Sequence, residues 1–130
     1  REQGLEILGF PCNQFNGKEP GSSSEIQEMY EARFGVTFPL FEKTDVRGPF
    51  AHPLFQYLTR QAPFQGFDVR TEGGQWMTDF LLEKHSEIYA DDGVKWNFSK
   101  FLIDRHGDVK QRFESTTEIS EIEAAIEVLL

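Results

Sequence analysis

Two short segments constrain this chain most. Trp96 to Ile103, with Phe98, Phe101 and Ile103 on the apolar beat, and Val109 to Phe113 flank Arg105-His106-Gly107-Asp108. Alternation before a Gly-containing turn, with a short segment returning after it, predicts an antiparallel hairpin. Ile119, Ile122, Ile126, Leu129 and Leu130 then recur at helical spacing, with Ser120 and Glu123 as a capping box. A hairpin followed by an amphipathic helix calls for a layered α/β domain.

The rest of the chain reads the same way. Leu5 to Phe10 is a mostly apolar run stopped by Pro11, the pattern of a buried strand. Cys12 to Gly21 is rich in turn residues. Ser24 and Gln27 form a capping box for a helix that carries Ile26, Met29, Tyr30 and Phe34 and stops at Gly35. Val36 to Glu42 is extended. Pro53 opens a second helix, packing through Leu54, Phe55, Tyr57 and Leu58. Gln61 to Gly74 is loop-like, and Trp76 to His85 predicts a short helix with Trp76, Met77, Phe80 and Leu81 inward. The order strand, helix, helix, strand, hairpin strand, helix predicts one α/β domain over residues 1–130 with a mixed sheet.

Charge narrows the function. The 13 Lys and Arg face 22 Asp and Glu, a net charge of -9. Nucleic acid and anionic membranes are therefore disfavoured as partners, because phosphate binding needs a positive field. No uncharged apolar run approaches the ~18 residues of a membrane span. The single cysteine, Cys12, excludes an intrachain disulfide and suits a reducing compartment, so a cytoplasmic location is expected. The chain opens Arg1-Glu2-Gln3-Gly4 without an initiator Met or a signal peptide. Its N-terminus is expected to be missing.

The local chemistry is sparse. Cys12 after a strand is either a nucleophile activated by its surroundings or, better supported, a small packing residue. His52, His85 and His106 lack metal-ligand spacing, so no metal site is expected. Gly17-Lys18 resembles the end of a phosphate loop, but Glu19 follows where Ser or Thr would be needed. Asn97-Phe98-Ser99 matches a glycosylation acceptor without a secretion signal to support it. Trp96-Asn97 places an indole N–H and an amide side by side at a strand start. They are either two donors at a sheet rim or an aromatic anchor and a turn-former.

Longer strings go further. Gly9-Phe10-Pro11-Cys12-Asn13-Gln14-Phe15 with Glu19-Pro20-Gly21 resembles a signature block of the glutathione peroxidase family. Phe38-Pro39-Leu40-Phe41-Glu42-Lys43 with Asp45-Val46, then His52-Pro53-Leu54, are similar to its next blocks. Trp96-Asn97-Phe98-Ser99-Lys100-Phe101-Leu102-Ile103-Asp104 is similar to its third. The resemblance runs from about Gly4 to Leu130.

The resemblance implies a thioredoxin-like fold, a mixed central sheet flanked by helices, here with the first core strand and helix missing. It implies reduction of hydrogen peroxide or organic hydroperoxides by a cysteine or selenocysteine, in defence against oxidative stress. That nucleophile lies on an upstream block absent from this chain, and Cys12 matches a different, usually non-nucleophilic cysteine. Trp96 and Asn97 match the family's site Trp and Asn. Lys18 stands where the family has its Gln, and Gln14 is another position of the motif. No second, resolving cysteine lies between Ser24 and Phe34, so glutathione or another small thiol is the expected reductant, with no cofactor. Thr59 to Lys95 is longer than in short members, as in some bacterial-type ones, and a monomer is expected. The rival readings are a thioredoxin-like binding module that has lost catalysis and a peroxidase that uses Cys12 itself.

Overall fold

A computed structural model describes residues 4–130. The described chain runs α1 (Ser23–Phe34), α2 (Pro53–Gln61), α3 (Glu72–Lys84), α4 (Ser86–Tyr89), β1 (Lys100–Ile103), β2 (Val109–Phe113) and α5 (Ile119–Leu129). It divides into two compact units, the first reaching to His52 and the second comprising Pro53–Leu130.

In the first unit, the segment expected as a strand forms a single parallel bridge, Gly9 with Leu40. The Gly9 N–H donates to the Pro39 carbonyl at 2.9 Å, and the Phe41 N–H to the Gly9 carbonyl at 2.8 Å. Pro11 and Pro39 have no N–H to extend the ladder, which keeps it this short. Phe10 stacks on Phe41 with centroids 4.7 Å apart, so the pair is held by rings as well as by backbone.

Helix α1 begins two residues earlier than its expected box. Ser22, not Ser24, is the cap, its Oγ accepting from the Glu25 N–H at 3.3 Å. Ser22-x-x-Glu25 is an equally good capping pattern, and the Ser23 hydroxyl is taken by the Lys43 N–H at 2.9 Å. Gln27 bonds Glu31 instead, one turn on. Gly35 closes the helix in the left-handed region at φ 61.

Gln14 ties this unit together. Its Oε1 accepts from the Val46 N–H at 2.8 Å and the Arg47 N–H at 3.2 Å, and its Nε2 donates to the Arg47 carbonyl at 2.9 Å. Phe15, Ile26, Val46 and Ala51 are buried in the same unit.

The second unit holds the expected hairpin. β1 and β2 are antiparallel, with Lys100 opposite Phe113, Phe101 opposite Arg112 and Ile103 opposite Val109, and the register shifts after Leu102. Asp104 Oδ1 accepts from the His106 and Asp108 N–H groups at 2.9 and 3.0 Å, and Gly107 takes φ 86. A carboxylate that takes up turn N–H groups fixes the loop and so the register. The strand starts at Lys100 rather than at Trp96, because Phe98 is left-handed (φ 67) and breaks the extended run.

Pro53 is the first residue of α2, as its fixed φ favours. Thr71 caps α3, accepting from the Gly74 N–H at 3.0 Å while donating to the Asp68 carbonyl at 2.9 Å. Gly74 lies so close to the Asp68 carbonyl that no side chain fits there. Of the residues expected inward, Met77 and Leu81 are buried, Phe80 is half-buried and Trp76 is 62% exposed. Trp76 sits one position from the buried Met77–Leu81 stripe and is rotated off it. α4 was not foreseen. At α5 the cap is Glu118 without a side-chain bond, so Ser120 lies inside the helix. None of its residues is fully buried.

Candidate functional site

Trp96 and Asn97 follow two buried residues, Val94 and Lys95. The Lys95 side chain is fully buried, and its Nζ donates to the Ile88 carbonyl at 2.6 Å, the Tyr89 carbonyl at 3.3 Å, the Asp91 carbonyl and Asp91 Oδ1 at 3.1 Å. It also lies 4.6 Å from the centre of the Phe64 ring. A helix end presents carbonyls without intrahelical partners, and a buried ammonium needs several acceptors. Each need answers the other, and the backbone entering Trp96 is pinned to the end of α4.

The Trp96 ring is half-buried. It meets Phe80 edge-on, centroids 5.3 Å apart and planes at 90°, and lies 5.9 Å from His85. Asn97 is half-buried, and its amide has no hydrogen-bond partner among the described residues. The turn after it is tightly held. The Ser99 hydroxyl donates to the Trp96 carbonyl at 2.9 Å, and Lys100 Nζ donates to the Phe98 carbonyl at 2.8 Å. Burial lowers the Lys100 pKa. A left-handed non-Gly residue costs backbone strain, and these two bonds hold it in place. The outcome is a fixed indole beside an uncommitted amide donor.

Arg112 supports the same segment from β2. Its Nε donates to Glu114 Oε2 at 2.7 Å, Nη1 to the Ala62 and Asp92 carbonyls at 3.1 and 2.6 Å, and Nη2 to the Gly93 carbonyl at 2.7 Å. Its guanidinium also packs against Phe64 and Phe101. Burial pushes the Glu114 carboxyl up, against the opposing pull of Arg112. Glu114 Oε1 and Ser115 Oγ are buried without a partner among the described residues. Sequence reasoning missed Lys95, Arg112 and Glu114. The available signal was a charged pair two apart in a strand pattern, which places both on one face.

Lys18 lies in the first unit, in a loop shaped by left-handed Asn16 and Gly17. Its N–H donates to the Phe15 carbonyl at 3.3 Å, and Asn13 Oδ1 accepts from the Glu19 N–H at 3.0 Å. Its side chain is exposed, and the ammonium has no ion pair among the described residues. Cys12 is only 6% exposed and its thiol donates to Gln14 Oε1 at 3.2 Å. Burial pushes the thiol pKa up, the opposite of what a nucleophile needs. Among the described residues, no group of three His, Cys, Asp or Glu could hold a metal ion, and no helix is long and apolar enough to cross a membrane.

A family model described as glutathione peroxidase matches residues 1–59. The glutathione peroxidase homolog BsaA of Bacillus subtilis is 42% identical over all 130 residues, which span 67% of its length. The chain belongs to the glutathione peroxidase family.

The hydroperoxy fatty acid reductase gpx1 of Synechocystis is 48% identical over 129 residues, covering 99% of this chain and 66% of that protein. Two crystal structures agree in fold. T. cruzi GPX1 has a TM-score of 0.63 at 30% identity, covering 98% of this chain and 61% of that one. Trgpx in apo form has a TM-score of 0.61 at 32% identity, covering 95% and 56%. The fold is therefore the thioredoxin-like α/β fold of this family. The chain spans about two thirds of the length of the curated relatives it matches.

Proposed function

We propose that this glutathione peroxidase family member is a thiol-dependent peroxidase. It reduces hydrogen peroxide or organic hydroperoxides to water or alcohols and serves oxidative-stress defence. A thiolate or selenolate attacks the peroxide, one S–O or Se–O bond forms as the O–O bond breaks, and the departing alkoxide leaves as the alcohol after taking a proton. Two molecules of glutathione or another small thiol then restore the nucleophile, giving a disulfide and water. No prosthetic group takes part.

The nucleophile in this reading is not Cys12, which is buried, hydrogen-bonded to Gln14 and raised in pKa. It is a residue outside these 130. Trp96 and Asn97 are its donors. An N–H aimed at sulfur favours the charged form without competing for a proton. Lys18, at the family's Gln position, is an exposed cation that favours a thiolate through its charge. The protein acts as a cytoplasmic monomer. The observation that carries the reading is the similarity along the whole chain to a peroxidase homolog and a hydroperoxy fatty acid reductase.

The test is a glutathione-coupled assay of the whole gene product with cumene hydroperoxide. Wild type and Cys12→Ser should turn over alike, and Trp96→Phe should be slower. A wild type inactive with every thiol and hydroperoxide would favour a binding module. Turnover abolished by Cys12→Ser would make Cys12 the nucleophile.

A further inference from the structure

Helix α3 carries Trp76 and Phe80 four residues apart, on one face. Their rings are stacked, with centroids 5.1 Å apart and planes 7° from parallel. Phe80 in turn meets Trp96 edge-on and lies 5.5 Å from His85. The result is a continuous aromatic strip from the candidate site residue Trp96, through half-buried Phe80, to Trp76. Met77 and Leu81 supply the helix's buried contacts, so Trp76 does not serve the core.

We infer that Trp76 is a specificity-determining residue that holds the apolar body of an organic hydroperoxide alongside Trp96. This rests on the peroxidase reading given above. The strip offers ring faces and edges, which suit an uncharged hydrocarbon. Its polar border is mostly acidic or already engaged. Gln75 donates to Asp79 at 2.9 Å, and along α3 and α4 the exposed charged residues that follow are Glu83, Lys84 and Glu87. A net charge of -9 disfavours a second copy of this chain or an anionic lipid surface as the occupant. A small neutral hydroperoxide meets no such field. Hydrogen peroxide has no apolar body and gains nothing from the strip.

Both tryptophans of these 130 residues, Trp76 and Trp96, lie in this strip, so the difference in tryptophan emission between wild type and Trp76→Ala reports on it. In steady-state assays of the whole gene product, Trp76→Ala should raise KM for methyl linoleate hydroperoxide about 10-fold. It should leave kcat, and both constants for hydrogen peroxide, unchanged, and Trp76→Phe should retain most of the preference. In parallel, the whole gene product is titrated with the corresponding methyl linoleate alcohol. Its emission should change saturably, and Trp76→Ala should abolish the change.

An unchanged KM ratio in Trp76→Ala would overturn the inference, as would an emission blind to the alcohol. So would a dimer in sedimentation velocity that Trp76→Ala dissolves, because the strip would then belong to a second copy. If wild type reduces no hydroperoxide at all, the peroxidase reading fails, and the titration still decides whether the strip binds an apolar ligand.

Discussion

Arg112 Nε lies 2.7 Å from Glu114 Oε2, and both side chains are about nine-tenths buried or more. Three backbone carbonyls take three more of the guanidinium N–H groups. Removing one member of a buried pair strands the other. Arg112→Met should therefore cost about 3–5 kcal/mol in urea unfolding. Adding Glu114→Leu to it should recover a large part. A single variant as stable as wild type would show that the pair contributes nothing.

The pH dependence follows from Glu114. Burial raises its folded pKa above the ordinary 4.5, so the folded state holds this proton at higher pH than the unfolded chain. Its favourable contribution is full below the ordinary value and is lost as pH rises through the raised one. Asp104 opposes this. The Asp108 and His106 N–H groups lower its pKa, so its contribution is lost as pH falls. Glu114→Gln should remove the decline on the alkaline side of 4.5 and leave the acid limb intact, as read from the melting temperature across pH.

Gly73 and Gly74 are adjacent in α3 and should behave oppositely. A Cβ at Gly73 meets only Thr116 carbons, at 3.9 Å, so Gly73→Ala should stabilise by about 0.5–1 kcal/mol through helix propensity. A Cβ at Gly74 collides with the Asp68 backbone, and Gly74→Ala should destabilise by about 1–3 kcal/mol. Thermal melts of the two variants separate the cases.

The Cys12 thiol should react slowly. With its pKa raised by burial and little of its surface open, alkylation by iodoacetamide should run at least about 10-fold slower in the native chain than in urea. Equal rates would mean that the thiol is open and activated.

Lys18 has an exposed side chain, so Lys18→Gln should change stability by no more than about 0.5 kcal/mol. On the proposed reading, it should shift the acid limb of kcat/KM of the whole enzyme to higher pH, because a cation that favours the thiolate would be lost. An unmoved limb would place Lys18 outside the site.

Most of the fold was legible because it rests on local rules. The hairpin follows from the alternation that runs up to the turn at Gly107, α2 from Pro53 and the end of α1 from Gly35. The errors arose where one pattern had two solutions. Ser22 and Ser24 each begin a capping sequence, and only the bond from the Lys43 N–H to Ser23 Oγ, made across 20 residues, shows how the start of α1 is shared out. Trp76, Met77, Phe80 and Leu81 all read as one inward set, yet Met77 and Leu81 fill that side and Trp76 is left exposed. At the candidate site, Trp96 and Asn97 were legible as a motif. Lys95 and Arg112 were not, since a charged residue reads as surface until its carbonyl partners are known.

The Gln14 tie also bears on the order in which the first unit assembles. Its bonds to Val46 and Arg47 span 32 and 33 residues, with all of α1 in between. A helix forms within its own sequence, whereas this tie must wait until the intervening loop has closed. Interactions made that late are missing from the folding transition state and act on escape from the native state. Gln14 works as a latch. Its loss should leave the refolding rate nearly untouched and let the native chain open sooner.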